Sequence, residues 1–224
     1  MHNLAIIPAR SGSKRIKNKN IKLFLNKPII AYSIETAFGS GLFDKIMVST
    51  DSEKIAVVAK KYGADVPFYR SNKSSNDYAP LNDVVKEVIY EYKKRGEIFD
   101  YACLILPTAP LITIKNLKKG LEILRNSNIN SVRPIVKFGF PIQRAFKLLS
   151  NNEVIPAFPE EFPKRSQDLE PRFHDSGQFY WFKGDKNISK NKGGFEISEM
   201  EMQDIDNETD WKLAELKYKI LFNK

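Results

Sequence analysis

Short apolar runs alternate with helical repeats along the chain. Five nearly continuous apolar runs predict β-strands, and they span residues 4–9, 45–50, 101–106, 131–136 and 178–182. Runs of this kind are typical of a parallel sheet that is covered on both faces. Between them, apolar residues recur three and four positions apart, which predicts amphipathic helices. The alternation therefore predicts an α/β fold with a mostly parallel sheet and helices on both faces.

End signals place the predicted helices. Pro28 suits the first turn of one helix, Gly63 and Gly96 close two more, and Thr113 caps a fourth. A last helix is expected to start near Thr209 and to run to the end of the sequence. Crossovers between the parallel strands should be right-handed.

One region interrupts this rhythm. Residues 137–175, here called the excursion, contain five prolines and no clear hydrophobic period. We expect a single domain over residues 1–224, with the excursion inserted in it as a lid or a dimerisation region.

Charge is distributed unevenly. The 224 residues carry a formal net charge of +9, which raises nucleic acid as a partner. However, residues 1–34 hold seven Lys and Arg residues and no Asp or Glu, whereas the later lysines are scattered over predicted helix faces. One local anion site with an ordinary lysine-rich surface explains this pattern better than a continuous stripe. The sequence therefore favours a small anionic ligand over a polymer.

The remaining composition indicates a soluble protein. The lone cysteine, Cys103, cannot pair within the chain and is expected to be a buried thiol. The first ten residues do not resemble a signal peptide, and no apolar run approaches the length of a membrane span. We therefore expect a cytoplasmic protein without a membrane partner.

The loop after the first predicted strand is strongly cationic. Residues 8–20 read PARSGSKRIKNKN, with five basic side chains and no acidic one. Ligands of open α/β sheets bind beyond the carboxyl ends of the strands, where this loop begins. Gly12 between two serines, with lysines nearby, suits a polyphosphate, although a solvated basic turn is the alternative. The loop matches neither GxxxxGK[ST] nor GxGxxG, so P-loop NTPases and dinucleotide-binding domains are not indicated.

Residues 6–20, IIPARSGSKRIKNKN, resemble the signature loop of the cytidylyltransferases that activate acidic eight- and nine-carbon sugars, the sialic acid synthetase-like family. The family pattern is approximately P-A-R-x-G-S-K-x-[IL]-x-x-K-N. The resemblance implies a Rossmann-like nucleotidyltransferase fold. It also implies that the loop binds the triphosphate of CTP, with Arg10 and Lys14 as catalytic residues. The nucleotide-binding residues implied here are Ala9, Arg10, Gly12, Ser13, Lys14, Lys19 and Asn20.

Further segments match the same family in the same order. VSTDSEKIA at 48–56, FYRS at 68–71, LPTAPL at 106–111 and DID at 204–206 resemble family motifs. Leu106 replaces the usual glutamine and Ala109 the usual serine, so recognition of the base by that glutamine does not transfer. The resemblance adds further nucleotide contacts, which are Arg70, Asn76, Asp77, Pro107 and Thr108.

Asp204 and Asp206 are candidates for a metal site. In an extended segment, residues two apart point to the same side, and two carboxylates repel each other unless a cation joins them. Mg²⁺ accepts a few carboxylates together with phosphate oxygens and water. Read alone, the pair could be a solvated acidic turn. Within the family resemblance, Asp204 and Asp206 are implied to be catalytic and to bind Mg²⁺.

The sugar-binding half resembles one branch of the family. Residues 133–148 and 165–181 resemble the pseudaminic acid branch, whereas the neuraminic acid branch tends to read F-R-x-N-G where this chain reads FHDSG. An arginine is suited to the sugar carboxylate. His174 could be a sugar contact, a general base or a structural residue, and Tyr180 and Trp181 are expected in the core. The substrate-binding residues implied are Gln143, Arg144, Arg165, Arg172, His174 and Gln178.

These segments together predict a nucleotidyltransferase. The expected reaction is Mg²⁺-dependent, in-line attack of the anomeric hydroxyl of pseudaminic acid on the α-phosphate of CTP, giving CMP-pseudaminic acid and pyrophosphate. The alternative is a CMP-N-acetylneuraminate synthetase, and the remote alternative is a nucleic-acid-binding domain. We expect no nucleic acid partner, and the excursion suggests a homodimer. All of this requires the basic loop and the acidic pair to meet around one nucleotide.

Overall fold

A computed structural model describes residues 1–13, 15–71, 74, 80–184 and 190–223. The strands of this part of the chain are β1 (Asn3–Pro8), β2 (Leu23–Phe24), β3 (Lys27–Pro28), β4 (Lys45–Ser49), β5 (Tyr101–Ile105), β6 (Ser131–Lys137), β7 (Phe146–Leu148), β8 (Val154–Pro156), β9 (Phe173–Asp175), β10 (Phe179–Lys183) and β11 (Lys192–Glu196). The helices are α1 (Ile29–Ser40), α2 (Glu53–Lys61), α3 (Leu81–Lys94), α4 (Ile114–Arg125) and α5 (Glu208–Phe222).

The central sheet is mixed but mostly parallel. Its strand order is β11-β6-β10-β5-β1-β4, and β9 also pairs with β6. Strands β1, β4, β5, β6 and β11 share one direction, whereas β9 and β10 run against it. The predicted α/β class is therefore confirmed.

The helices begin where the sequence provides caps. The Ser52 side chain accepts the amide of Ile55 at the start of α2, and Thr113 accepts the amide of Asn116 at the start of α4. Pro28 occupies the capping position before α1, one residue earlier than its predicted place in the first turn. Gly63 and Gly96, which follow α2 and α3, adopt φ values of 93° and 77°, a region that side chains with a Cβ rarely enter.

Helices cover both faces of the sheet, so successive side chains of β1 enter two different hydrophobic cores. Ala5 and Ile7 point to the face that is covered by α1, α2 and α4. Leu4 and Ile6 point to the opposite face, where α3 contributes Val85, Val88 and Tyr92 to the second core. Cys103 of β5 is buried in the first core, as expected, and its burial raises the pKa of the thiol. Among the described residues, no helix is long and apolar enough to cross a membrane.

The C-terminal helix closes a third core around the opening loop. Trp211, Ala214 and Tyr218 of α5 pack with Phe24 of the β2–β3 hairpin and with Ile205, a residue that precedes the helix. Asn207 caps α5 by accepting the amides of Thr209 and Asp210. This packing brings the segment around Ile205 to the opening loop, whose Ile16 belongs to the same cluster.

The excursion adds a small hairpin outside the main sheet. Strands β7 and β8 pair antiparallel, with Phe146 opposite Pro156 and Leu148 opposite Val154. The excursion exposes many large apolar side chains, including Phe140 (72% exposed), Leu148 (71%), Val154 (57%), Phe146 (55%) and Ile155 (43%). This apolar surface is unusual for a free face.

Candidate active site

The segments that resemble nucleotide-binding motifs meet at one edge of the sheet. Parallel strands β1, β4 and β5 end at Pro8, Ser49 and Ile105, so the loops that follow them leave from the same edge. The amide of Ala9 donates to the carbonyl of Ser49 at 2.9 Å, which extends the pairing into the opening loop. Pro107, buried, and Thr108, half-buried, follow β5 at this edge.

The start of the opening loop is held by the carboxylate of Asp51, which lies in the loop after β4. The amide of Ser11 donates to Oδ1 of Asp51 at 2.8 Å, and the Ser11 hydroxyl donates to Oδ2 at 2.7 Å. Asn20, which is buried, donates its side-chain amide to the carbonyl of Arg10 at 3.0 Å. The loop therefore returns on itself with Gly12 exposed and Ser13 half-buried at its tip. Lys14, a predicted catalytic residue, lies outside the described residues.

Arg70 is built into the same edge. Its guanidinium donates to the Ser49 hydroxyl at 3.1 Å and to the Ser49 carbonyl at 2.7 Å, and its own amide donates to the carbonyl of Thr50. The side chain is buried, and burial lowers the pKa of Arg70, against the opposite influence of Asp51 and Glu87. Asn76 and Asp77, also predicted to bind the nucleotide, lie outside the described residues.

The acidic segment comes to the basic loop from the far end of the chain. The ammonium of Lys19 donates to the carbonyl of Ile205 at 2.6 Å and lies 4.0 Å from Oδ1 of Asp206. Arg15 forms an ion pair with the other carboxylate oxygen of Asp206. Burial lowers the pKa of Lys19, while the nearby carboxylates of Asp206 and Asp204 oppose the shift. Two residues of the opening loop, Arg15 and Lys19, therefore contact the segment that contains Asp206.

Asp204 and Asp206 lie on either side of a buried residue, Ile205. Ile205 is buried in the third core, whereas Asp204 is exposed and Asp206 is partly exposed, as expected for an extended segment. Asp210 steadies the segment by accepting the amide of Asp206 at 2.9 Å. Among the described residues, no group of three or more His, Cys, Asp and Glu side chains could hold a metal. Two carboxylates that leave the remaining positions to phosphate and water match the usual coordination of Mg²⁺.

Gln178 connects the sheet to the acidic segment. It is buried, and its side-chain amide donates to the carbonyl of Glu201, three residues before Asp204. The main-chain carbonyl of Gln178 accepts the amide of Leu106 at 2.8 Å, beside the end of β5. Its Oε1 atom has no hydrogen-bond partner among the described residues. Gln178 therefore holds two parts of the site together from within.

The other predicted sugar contacts are held inside the excursion. Gln143 donates to the carbonyl of Glu170 at 2.8 Å, and Arg144 donates to the carbonyl of Lys164. Arg165 binds Asp168 through two nitrogens, and Arg172 pairs with Glu170 at 2.9 Å. Among the described residues, the hydrogen bonds and ion pairs of these four side chains all stay within the excursion. Within the part of the chain that the structure describes, none of these four side chains therefore hydrogen-bonds or ion-pairs with the basic loop.

A groove that the sequence did not indicate lies on the α3 side of the sheet. We call it the α3 groove; its volume is about 260 Å³. Its lining residues are Leu81, Asn82, Val85, Leu104, Ser131, Arg133, Tyr180, Phe182 and Lys192. Tyr180, expected in the core, lies in the groove wall, whereas Trp181 is buried as predicted. Burial raises the pKa of Tyr180, with smaller contributions from Asp175 and from Asp204. The groove therefore combines polar wall residues, such as Arg133 and Tyr180, with apolar ones, such as Leu104 and Phe182.

Comparison with solved structures supports the fold. A structure of CMP:2-keto-3-deoxy-manno-octonic acid synthetase complexed with CTP matches with a TM-score of 0.72, at 14% identity and over 100% of both chains. Identity at this level shows the fold alone. In this fold, the cationic opening loop and the segment that contains Asp206 meet at the carboxyl edge of the sheet.

Sequence comparison assigns the family. The chain belongs to the cytidylyltransferase family, whose model matches residues 4–184. A pseudaminic acid cytidylyltransferase of Campylobacter jejuni is 41% identical over 98% of this chain and 97% of its own length. An N-acylneuraminate cytidylyltransferase of Danio rerio is 32% identical over 96% of this chain and 50% of its own length. The resemblance inferred from the opening loop is confirmed.

Proposed function

We propose that this protein transfers the cytidylyl group of CTP to pseudaminic acid. The meeting of Lys19 and Arg15 with Asp206 is the observation that carries the proposal, because it brings a cationic loop and a carboxylate pair to one edge of the sheet. The similarity to the Campylobacter enzyme, over nearly the full length of both chains, supports the choice of sugar. The alternative sugar, N-acetylneuraminic acid, corresponds to a relative of lower identity.

In the proposed reaction, the anomeric hydroxyl oxygen attacks the α-phosphorus of CTP. The bond to the bridging oxygen of the β-phosphate breaks, pyrophosphate leaves, and the hydroxyl proton is released. The protein forms no covalent bond, so its contribution is orientation and charge neutralisation. Arg10, Lys14 and Lys19 provide positive charge toward the phosphates, while Gly12, Ser13 and Asn20 shape the loop.

Asp204 and Asp206 are proposed to hold Mg²⁺. The ion supplies positive charge that offsets the phosphates when it is bound. The chain's own contribution is to hold the segment that carries the two carboxylates in place. Arg15 and Lys19 hold the Asp206 side chain by electrostatic contacts, and the Asp210 carboxylate accepts the Asp206 amide.

The sugar is proposed to bind in the α3 groove. Leu81, Val85 and Phe182 give the groove an apolar wall, and Arg133 and Tyr180 give it polar groups. Such a mixed surface suits an acylated sugar that carries both apolar and hydroxyl groups. Leu104 and Tyr180, which pair across β5 and β10, line the groove one residue before β5 ends, so the proposed sugar position adjoins the edge of the sheet from which the nucleotide-binding loops leave.

The remaining predicted sugar contacts stay proposals. Arg165 and Arg172 have exposed guanidinium groups, so either can bind the sugar carboxylate after exchanging its local acid partner. His174 hydrogen-bonds the carbonyl of Asp175 through Nδ1 and packs against Phe138, which leaves Nε2 as its second polar atom.

A homodimer is proposed through the excursion. The β7–β8 hairpin exposes large apolar side chains. We propose that the same hairpin of a second copy of the chain packs against them and removes them from water.

The decisive experiment is a substrate comparison. Purified protein is incubated with CTP, Mg²⁺ and either pseudaminic acid or N-acetylneuraminic acid, and the product is identified by mass spectrometry. We expect CMP-pseudaminic acid and pyrophosphate. Turnover of N-acetylneuraminic acid alone would overturn the choice of sugar. Absence of pyrophosphate release with both sugars, together with no CTP binding by calorimetry, would overturn the nucleotidyltransferase assignment.

A further inference from the structure

One carboxylate organises the polar wall of the α3 groove. Asp175, the last residue of β9, accepts a hydrogen bond from Arg133 of β6 at 2.8 Å through Oδ2. Its Oδ1 atom accepts the Tyr180 hydroxyl at 3.1 Å and the amide of Gly177 at 2.9 Å. Arg133 also lies over the Tyr180 ring, 4.8 Å from its centroid. Three neighbouring parts of the chain are therefore tied to a single side chain.

The turn between β9 and β10 depends on the same carboxylate. Gly177 adopts a φ of 64°, and its amide is one of the donors to Asp175. The turn reverses the chain so that β10 begins at Phe179 and presents Tyr180 to the groove. Asp175 thus sets the position of both polar residues, although it does not line the groove itself.

The contacts define which chemistry the groove offers. The Tyr180 hydroxyl donates a hydrogen bond to Asp175, so the hydroxyl oxygen remains available as an acceptor. The charge of Arg133 is balanced by Asp175, while its other N–H groups remain donors. Lys192, at the start of β11, is exposed at the far end of the groove. The wall near Tyr180 therefore presents neutral hydrogen-bonding capacity instead of an unpaired cation.

We propose that Asp175 is a specificity-determining, positioning residue, which sets Arg133 and Tyr180 to receive the hydroxyl and acylamino groups of the sugar and leaves its carboxylate to be bound elsewhere. The inference rests on the proposed function, because it assumes that the sugar occupies the α3 groove.

The test separates recognition of the sugar from recognition of CTP. Asp175→Asn keeps an oxygen acceptor for Gly177 and Tyr180 but removes the charge that balances Arg133. We expect the KM for pseudaminic acid to rise about 10-fold, with the KM for CTP changed less than about twofold. The selectivity between pseudaminic acid and a de-N-acylated analogue should fall by a similar factor. A purely structural role would instead move both KM values or neither.

A second variant keeps the inference testable if Asp175→Asn fails to fold. Tyr180→Phe removes one hydroxyl from the groove wall and leaves the ion pair between Arg133 and Asp175 intact. It should raise the KM for the sugar about 3- to 10-fold and leave the KM for CTP unchanged. The matched control is Glu91→Gln, which breaks the ion pair with Lys94 on α3 and should leave both KM values unchanged.

The outcomes distinguish the two levels of the proposal. If the wild-type protein turns over the sugar but both variants retain the wild-type KM for it, Asp175 does not set specificity and the proposed function stands. If KM rises equally for CTP and sugar, the inference is also overturned. If the wild-type protein shows no CTP-dependent pyrophosphate release with any sugar acid, the proposed function itself fails.

Discussion

The ammonium group of Lys19 donates a hydrogen bond to the main-chain carbonyl of Ile205, and the two residues are 186 positions apart in the chain. The same ammonium lies 4.0 Å from Asp206. This contact joins the first loop of the sheet to the segment that precedes the last helix, so the proposed site draws on both ends of the chain.

Replacing Lys19 by Met should therefore weaken nucleotide binding and turnover together. The variant loses a cation near the phosphates and the bond to Ile205, so kcat/KM for CTP should fall about 100-fold. The measurement is steady-state pyrophosphate release over a CTP titration. Lys45→Met is the control, because Lys45 pairs with Glu97 and begins β4 at the opposite edge of the sheet. Equal effects of the two substitutions would contradict the role of Lys19.

Neutralising the acidic pair should change the dependence on metal. Asp204→Asn and Asp206→Asn each remove one of the proposed carboxylate ligands, so the Mg²⁺ concentration for half-maximal activity should rise at least about 10-fold. Calorimetric titration of Mg²⁺ into the complex with CTP gives a second readout. Glu208→Gln is the control. Glu208 begins α5, close in the chain to Asp206, but it pairs with Lys22, so this substitution should leave the Mg²⁺ dependence unaltered. Wild-type Mg²⁺ affinity in both Asp variants would exclude the pair as ligands.

The acid that fixes the opening loop should act on CTP binding. Asp51→Ala releases both donors of Ser11, and we expect the KM for CTP to rise about 10-fold. Ser11→Ala removes only the hydroxyl bond and should have a smaller effect. A double-mutant cycle on KM measures their coupling. Strictly additive effects would show that the two residues act independently.

Gln178 has either a structural role or a role in binding the sugar, and the free energy of unfolding of a Gln178 variant distinguishes the two. If it holds β10 to the acidic segment, Gln178→Leu removes a hydrogen bond from a buried side chain to the carbonyl of Glu201, and the free energy of unfolding should fall by about 1–3 kcal/mol. Urea unfolding measures this change. The sequence resemblance implies a sugar contact instead. In that case, the KM for the sugar would rise and the unfolding midpoint would remain at its wild-type position.

The proposed dimer has a simple test in the β7–β8 hairpin. Leu148 and Val154 face each other across the two strands, and both are exposed. Leu148→Glu should convert a dimer into a monomer in light scattering coupled to size-exclusion chromatography. Leu216→Glu, on the exposed face of α5, is the matched control and should leave the dimer intact. A wild-type protein that is monomeric at micromolar concentration would contradict the proposal.

The elements that the sequence predicted well are those that are determined locally. The run at 101–106 became β5, and Thr113 capped α4, because apolar periodicity and capping act within a few residues. Strand β11 was missed because it offers only one buried apolar residue, Phe195, and two glycines. A Cβ on Gly193 would lie 2.4 Å from Ile129, a close approach that appears only once the chain is folded.

The site shows the same division. The residues of the opening loop and the acidic pair could be named from their motifs, because the motifs are contiguous. The roles of Asp175 and Gln178 could not, because each depends on a partner that the fold brings from another strand or loop. Tyr180 was expected in the core because its strand is apolar, but its face of the sheet is left open beside α3.

Strand β10 has a consequence for how the protein is made. It is inserted against the direction of its neighbours β5 and β6, so the middle of the sheet is completed only after residue 183 has been synthesised. Until then, a nascent chain that already contains β1, β4 and β5 leaves an apolar strand edge without its partner strand. Products that stop before β10 should therefore aggregate instead of accumulating as soluble fragments, which makes β10 a requirement for folding of the central sheet.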